Sequence, residues 1–268
     1  MLHRVFTARR ARMGALAATT ALALALAGCS QKQMTTGSLA QSEAGQANGQ
    51  LTQNLAIAEK WEKAYKRDPE NAQIALGYGQ ALAATGRGRE AIGVYAQAIS
   101  HNPNDPELLS VYGRALARET PGPQSIAVLE RAEKSGSRDW SAYSALGASY
   151  DAVGRHKDAQ NAYKKALALK PGESAVLSNM GLSQALAGDI KAAETTLKQA
   201  SRSPDAAPQV RQNLALVYGM QGKFKEAQSE LAKDLGAEAA AANVNYMRQM
   251  MSQNNSWDAI KKAGKSRG

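Results

Sequence analysis

Residues 140–171 read WSAYSALGASYDAVGRHKDAQNAYKKALALKP. Two amphipathic runs of about a dozen residues flank Gly154, and Pro171 closes the second run. Apolar residues recur every three or four positions in each run, the period of a helix rather than a strand. A glycine between such runs permits a turn by accepting positive φ, and a proline cannot continue a helix. The stretch therefore reads as two antiparallel helices and a tight turn.

The same pattern returns every 34 residues along the chain. Gly147 is in register with Gly79, Gly113, Gly181 and Ala215, and Ala159 with Ala91, Ser125, Ala193 and Ala227. Ala166 aligns with Ala98, Ala132 and Ala200, and the turn glycine Gly154 with Gly86, Gly188 and Gly222. Between the small residues runs a column of large ones: Tyr95, Leu129, Tyr163, Leu197 and Leu231. Pro103 ends another unit, and Pro69 ends a half-unit holding Trp61 and Ala64.

This pattern resembles the tetratricopeptide repeat over residues 50 to 241. It predicts an all-α superhelix, an α-solenoid of about five and a half repeats, with full units starting near residues 72, 106, 140, 174 and 208. Small residues let paired helices approach, and the large column fills the gap. No unit can bury its apolar face alone, so the stack is the stable object. The second unit departs from the pattern at Thr120-Pro121-Gly122-Pro123, where a stiff, distorted turn is expected. The Ala-rich stretch from Ala237 to Met251 reads as a capping helix, so the repeat domain spans 51–251.

Composition agrees. Hydrophobic residues make up 44% of the 268-residue chain but aromatics only 5%, so the apolar content is mainly Ala and Leu, which favour helices over strands. The formal charge of +10 sits at the ends: residues 1–28 hold four arginines and no acid, and the tail 252–268 has four basic residues against Asp258. The body holds 25 basic and 22 acidic residues. No basic stripe interleaved with aromatics is present, so nucleic-acid binding is not expected.

The first residues read as an address. A basic start is followed by an uncharged run over 14–27, too short to span a bilayer and suited to a secretory signal. Arg9-Arg10 lacks the apolar residues that follow a twin-arginine signal. The run ends in Leu26-Ala27-Gly28-Cys29, which resembles the lipobox of bacterial lipoproteins. The resemblance implies cleavage after residue 28, acylation of Cys29, and a chain anchored by two or three acyl chains, enough for stable binding. With Ser30 next, it implies the outer membrane, facing the periplasm. Residues 29–50 read as a flexible tether, and 252–268, with Trp257, as a disordered tail.

No catalytic pattern emerges. Cys29 is the sole cysteine and His3, His101 and His156 are the histidines, too few for a Cys/His zinc site. His101 and His156 fall at inter-helix junctions and are expected in solvent. Phosphate-binding, nucleophile-elbow and zinc-protease motifs are missing. The expectation is a non-enzyme without cofactor, metal or small-molecule substrate.

The repeat resemblance implies that the first helix of each unit lines a concave groove for a protein partner. The family positions that point inward fall on Gln80, Ser110, Arg114, Arg118, Asn179 and Asn213. Asn179 and Asn213 share one position in adjacent units, suggesting an asparagine ladder for an extended backbone. The lysines of the family's carboxylate clamp are absent.

The phrases GLSQALAGDIKAAETTLKQA, QNLALVYGMQGKFKEAQSEL and AAANVNYM, within 140–251, resemble the TadD family of tetratricopeptide-repeat lipoproteins of Flp (Tad) pilus assembly. That resemblance implies a pilotin-like role in the Tad secretion system: binding the secretin, localising it to the outer membrane and aiding its assembly. A general cell-envelope scaffold, serving peptidoglycan enzymes or outer-membrane assembly, and a type IV pilus lipoprotein are the alternatives.

Overall fold

In a computed structural model, the backbone is described for residues 36–265 and side chains for 49–252. The expected signal peptide, Cys29 and the side chain of Trp257 lie outside the described residues. Two units divide the chain, 1–46 and 47–268. Of the first, the description covers helical backbone from Thr36. The second is the solenoid.

Its elements follow the expected period. After α1 (Thr36–Arg67) come five helix pairs: α2 (Ala72–Ala84) with α3 (Gly88–His101), α4 (Pro106–Glu119) with α5 (Pro123–Lys134), α6 (Trp140–Ala152) with α7 (His156–Leu169), α8 (Ser174–Leu186) with α9 (Ile190–Ser201), and α10 (Pro208–Met220) with α11 (Phe224–Leu235). The last element is α12 (Ala237–Lys265). The first helices of the pairs begin at 72, 106, 140, 174 and 208, the expected unit starts. No strand occurs among the described residues.

The glycine register is where paired helices touch. A Cβ added to Gly147 would lie 2.5 Å from the Tyr163 ring, one on Gly113 2.5 Å from Leu129, and one on Gly181 2.6 Å from Leu197. Tyr163, Tyr95 and Leu197 are almost wholly buried. Each glycine is thus a socket for the large residue 16 positions later. In the fifth pair Ala215, fully buried, takes the socket position opposite Leu231.

Turns follow from local chemistry. Gly154 adopts φ +76°, and Arg155 N–H then closes back on Tyr150 O at 2.9 Å. The second unit solves the turn differently. Gly122 is extended at φ 160°. Ser125 Oγ accepts its N–H at 3.0 Å and lies 2.8 Å from Ser149 Oγ. The serine that replaces alanine in this register therefore caps α5 and ties it to α6, inside a fully buried site.

Starting caps share the period too. Asn71 accepts from the N–H of Gln73 and Ile74, Asp105 from Glu107 and Leu108, and Asp139 from Ser141. Each satisfies donors that a helix start leaves open. Glu173 and Ala207, in the next two units, provide no side-chain cap.

Both ends differ from expectation. The expected tether is helical from Thr36 onward, and the expected disordered tail continues α12 to Lys265. Neither stretch contains proline, and Ala, Gln and Leu extend a helix readily once a packed segment nucleates it. Trp61 and Tyr65 anchor α1, the latter donating to Gln97 Oε1 at 2.8 Å. Ala240 and Val244 anchor α12 in the last cluster of the core. Lys261, Lys262 and Lys265 suit a helix C-terminus.

A charged cluster ties α9 to the last pair. Glu194 accepts from Lys198 Nζ at 2.5 Å, Lys223 Nζ at 2.6 Å and Gln221 Nε2 at 2.8 Å. These bonds, with Lys198 first, hold its carboxyl at about 2 against an ordinary 4.5. A carboxyl depressed in the folded state adds stability above its unfolded pKa, and that stability is lost as pH falls through the folded value.

Both contacts can be tested by stability. Gly147→Ala forces a methyl against Tyr163 and should destabilise the chain by about 1–3 kcal/mol, read as a lower urea midpoint at unchanged slope; an unshifted midpoint refutes the socket. Glu194→Gln should flatten the loss of stability between pH 4.5 and about 2, measured by urea titrations across that window.

Candidate functional site

The first helices of the pairs touch one another in sequence, α2–α4–α6–α8–α10, and α12 follows α10. Each presents one narrow face to solvent. On α10 the residues left exposed or half-buried after Pro208 are Gln209, Arg211, Gln212, Leu216 and Met220, and on α8 the corresponding face carries Ala175, Asn179, Leu182 and Leu186. These recur at helical spacing, three or four residues apart, so they form a continuous strip on each helix. Side by side, the strips make the groove.

Four of the expected groove residues meet at its N-terminal end. Gln80, Arg114 and Arg118 line a cavity of about 220 Å³ between α2, α3 and α4, together with Tyr95 and Glu119. Gln80, Ser110 and Arg114 line a second, of about 490 Å³, that opens toward the start of α6. Arg114 Nη1 donates to Ser141 Oγ at 2.7 Å, and its Nε lies 3.5 Å from Asp139 Oδ2. That Nε is buried without a hydrogen bond. Arg118 is exposed and forms no ion pair among the described residues.

Ser110 is not free to bind. It is 1% exposed, donates to Pro106 O at 2.6 Å and sits 2.7 Å from Ser137 Oγ. It ties α4 to the loop before α6 and is not a groove contact.

The asparagine ladder also fails to form. Asn213 is 8% exposed; its Nδ2 donates to Ser178 Oγ at 2.9 Å and its Oδ1 accepts from Gln209 Nε2 at 3.2 Å. Close packing of α8 on α10 claims its amide. Asn179, half-buried, makes neither kind of bond.

His156 is likewise turned in from solvent. Its Nδ1 lies 2.8 Å from Asp151 Oδ1, whose carboxylate also accepts from Ser183 Oγ at 2.7 Å and Tyr163 OH at 3.0 Å. Burial and the Asp151 charge push the Tyr163 hydroxyl well above its usual range. Ser183 donates to the carboxylate and not to the imidazole, so the nucleophile–base order of a hydrolytic triad is not made. The cluster is a junction of α6, α7 and α8. Among the described residues no group of three or more His, Cys, Asp or Glu is placed to hold a metal. No described helix is long and apolar enough to cross a membrane.

The family is now plain. Tetratricopeptide-repeat models match residues 39–115 and 144–210. The chain is a tetratricopeptide-repeat protein. Among solved structures, PilW, a widely conserved type IV pilus biogenesis factor, aligns at TM-score 0.64 with 18% identity, over 79% of this chain and 99% of PilW. TTC0263, a thermophilic repeat protein of Thermus thermophilus, aligns at 0.54 with 24% identity, over 67% of this chain and all of its own. YrrB, a repeat protein with an unusual peptide-binding site, aligns at 0.56 with 14% identity, over 70% and 99%. At these identities the likeness carries the fold. No curated protein matches the chain significantly.

The sequence reading passed over Leu182 and Leu216, which hold the inward-pointing position of Gln80 and Arg114, and Leu186 and Met220, which hold that of Arg118. Polar residues drew attention because hydrogen bonding was the binding mode in view.

Asn213→Ala strips the partner from Ser178 and should cost about 1–2 kcal/mol, while Asn179→Ala should stay within about 0.5 kcal/mol. Urea midpoints of the two variants measure the difference; equal shifts would return Asn213 to the free groove.

Proposed function

We propose that this protein is an adaptor that holds a protein partner in its repeat groove, anchored by lipid on Cys29 to the outer membrane and facing the periplasm. One observation carries the groove reading: successive first helices align their exposed strips into a single surface, and Gln80, Arg114 and Arg118 converge there on one cavity. YrrB, with the same architecture, has a peptide-binding site. The family works through protein–protein contacts, and the groove holds no arrangement suited to catalysis.

The finer reading is a part in Flp (Tad) pilus biogenesis, assisting localisation or assembly of the secretin. The phrases within 140–251 support it. The likeness to PilW favours the second reading, a type IV pilus lipoprotein. A general envelope scaffold has no structural observation of its own in favour.

Affinity capture from detergent-solubilised envelopes tests these readings. Secretin or other Tad components should co-purify, and Gln80→Ala with Arg118→Glu should cut their recovery by about tenfold, roughly 1.4 kcal/mol, at unchanged melting temperature. Recovery of peptidoglycan enzymes alone, insensitive to these variants, overturns both the pilus role and the groove. Cys29→Ala should move the protein from the membrane to the soluble fraction; continued membrane association refutes the lipid anchor.

A further inference from the structure

The groove changes character along its length. At its N-terminal end the α4 strip carries Arg118, exposed and without an ion pair among the described residues, and Arg114, which lies 3.5 Å from Asp139; Glu119 shares their cavity. The α6 strip is small, with Ala145, Ala148 and Ala152. From α8 onward the strip is apolar. Leu186 is 65% exposed, Leu216 45%, Met220 47%, Tyr246 65% and Met250 45%. Among the described residues eleven large apolar side chains stay exposed, and these five lie on three successively contacting helices, α8, α10 and α12. On α8 and α10 the line Asn179, Leu182, Leu186 and Gln212, Leu216, Met220 carries no charge, and Arg211 beside it is held by Asp234 of α11. On α12 the nearby Arg248 is turned away, over the Phe224 ring at 4.7 Å. The three helices are contiguous: a Cβ on Gly219 of α10 would meet Met247 Sδ of α12 at 3.3 Å.

A single soluble domain with an apolar patch of this kind has a partner for it. The occupant's conformation follows from the hydrogen bonds the face lacks. An extended segment must have its backbone N–H and C=O groups paired. Here Asn213 is already taken by Ser178 and Gln209, Leu and Met side chains have no strong donor, and Asn179 and Gln212 offer one amide per helix, too few to pair an extended backbone along the whole face. A helix satisfies its own backbone and needs apolar contact alone. Thioether side chains adapt to such a face.

We infer that the C-terminal half of the groove, from Leu182 to Met250, receives an amphipathic α-helix of a partner protein whose apolar face bears no charge, with an acidic end that lies toward Arg114 and Arg118. This rests on the groove reading above and specifies its ligand. Helices pack about 8–10 Å apart, so α8, α10 and α12 span roughly 20 Å. About 13 residues of helix cover that length at 1.5 Å per residue. The arginine pair on α4 lies two helix spacings beyond α8, about another 13 residues along. Hydrophobic burial supplies the affinity, and the charge complement fixes direction.

The test uses a synthetic helix of about 26 residues, following that arithmetic. Leucines at i, i+3, i+4 and i+7 occupy its first half, Gln, Ser and Ala the rest, and two glutamates its far end. Binding to the full chain carrying Cys29→Ala is followed by fluorescence anisotropy. Micromolar binding is expected, weakened at least tenfold by Leu216→Asp with Met220→Asp. Arg118→Glu should weaken the acidic peptide and leave a glutamine-ended version unchanged. Leu216 and Met220 are exposed, so circular dichroism should show the variants folded. Absence of binding at millimolar peptide, equal binding of a peptide with scattered leucines, or indifference to the groove variants overturns the inference. Sedimentation of the chain alone covers the remaining occupant: self-association abolished by Leu216→Asp with Met220→Asp would assign the face to a second copy and overturn the inference as well. If captured envelope partners respond to Gln80→Ala with Arg118→Glu while the helix does not bind, the ligand chemistry is wrong and the groove stands.

Discussion

The architecture rests on a contact between a missing atom and a large side chain. In the first four pairs, where the first helix crosses the second, Gly79, Gly113, Gly147 or Gly181 leaves out a Cβ, and Tyr95, Leu129, Tyr163 or Leu197 occupies the space. That sets the spacing of the pair, and the spacing sets which residues are sealed and which strip remains in water. The groove is a by-product of this packing. Its composition is free to vary because the sockets that hold the pairs together lie outside it. Repeat stability and partner choice are therefore written in different columns of the same 34-residue pattern.

Much of the fold was legible because the period is so regular. Helices start at 72, 106, 140, 174 and 208 because the small–large pattern can be satisfied in one register. The second turn was the expected irregularity. It is held by Ser125, which does at Gly122 what a left-handed glycine does at Gly154. The extents of α1 and α12 were not legible, since low-complexity Ala, Gln and Ser sequence fits both tether and helix until an anchored neighbour decides.

The candidate site was half legible. Gln80, Arg114 and Arg118 do converge on one cavity. Ser110 and Asn213 are spoken for by Ser137 and Ser178, 27 and 35 residues away. The Asn213 bond crosses from one unit to the next, and the Ser110 bond reaches the loop that closes its own unit; a pattern of small and large positions contains neither. His156 was misplaced because Asp151, five residues before it in the same unit, draws its ring in, and that carboxylate is also bound by Ser183 of the following unit.

Asn71, Asp105 and Asp139 close the starts of the first three pairs, whereas Glu173 and Ala207 leave the next two unclosed by a side chain. In a linear stack each repeat is stabilised by itself and its immediate neighbours, so such differences do not average out over the molecule. By this feature the first helices of the last two pairs lack a cap worth about 1 kcal/mol that those of the first three possess. The carboxy-terminal repeats that lack it also have the most apolar groove. A ligand seated there works as a splint, and its arrival registers as slowed opening of the last repeats while the first remain as they were.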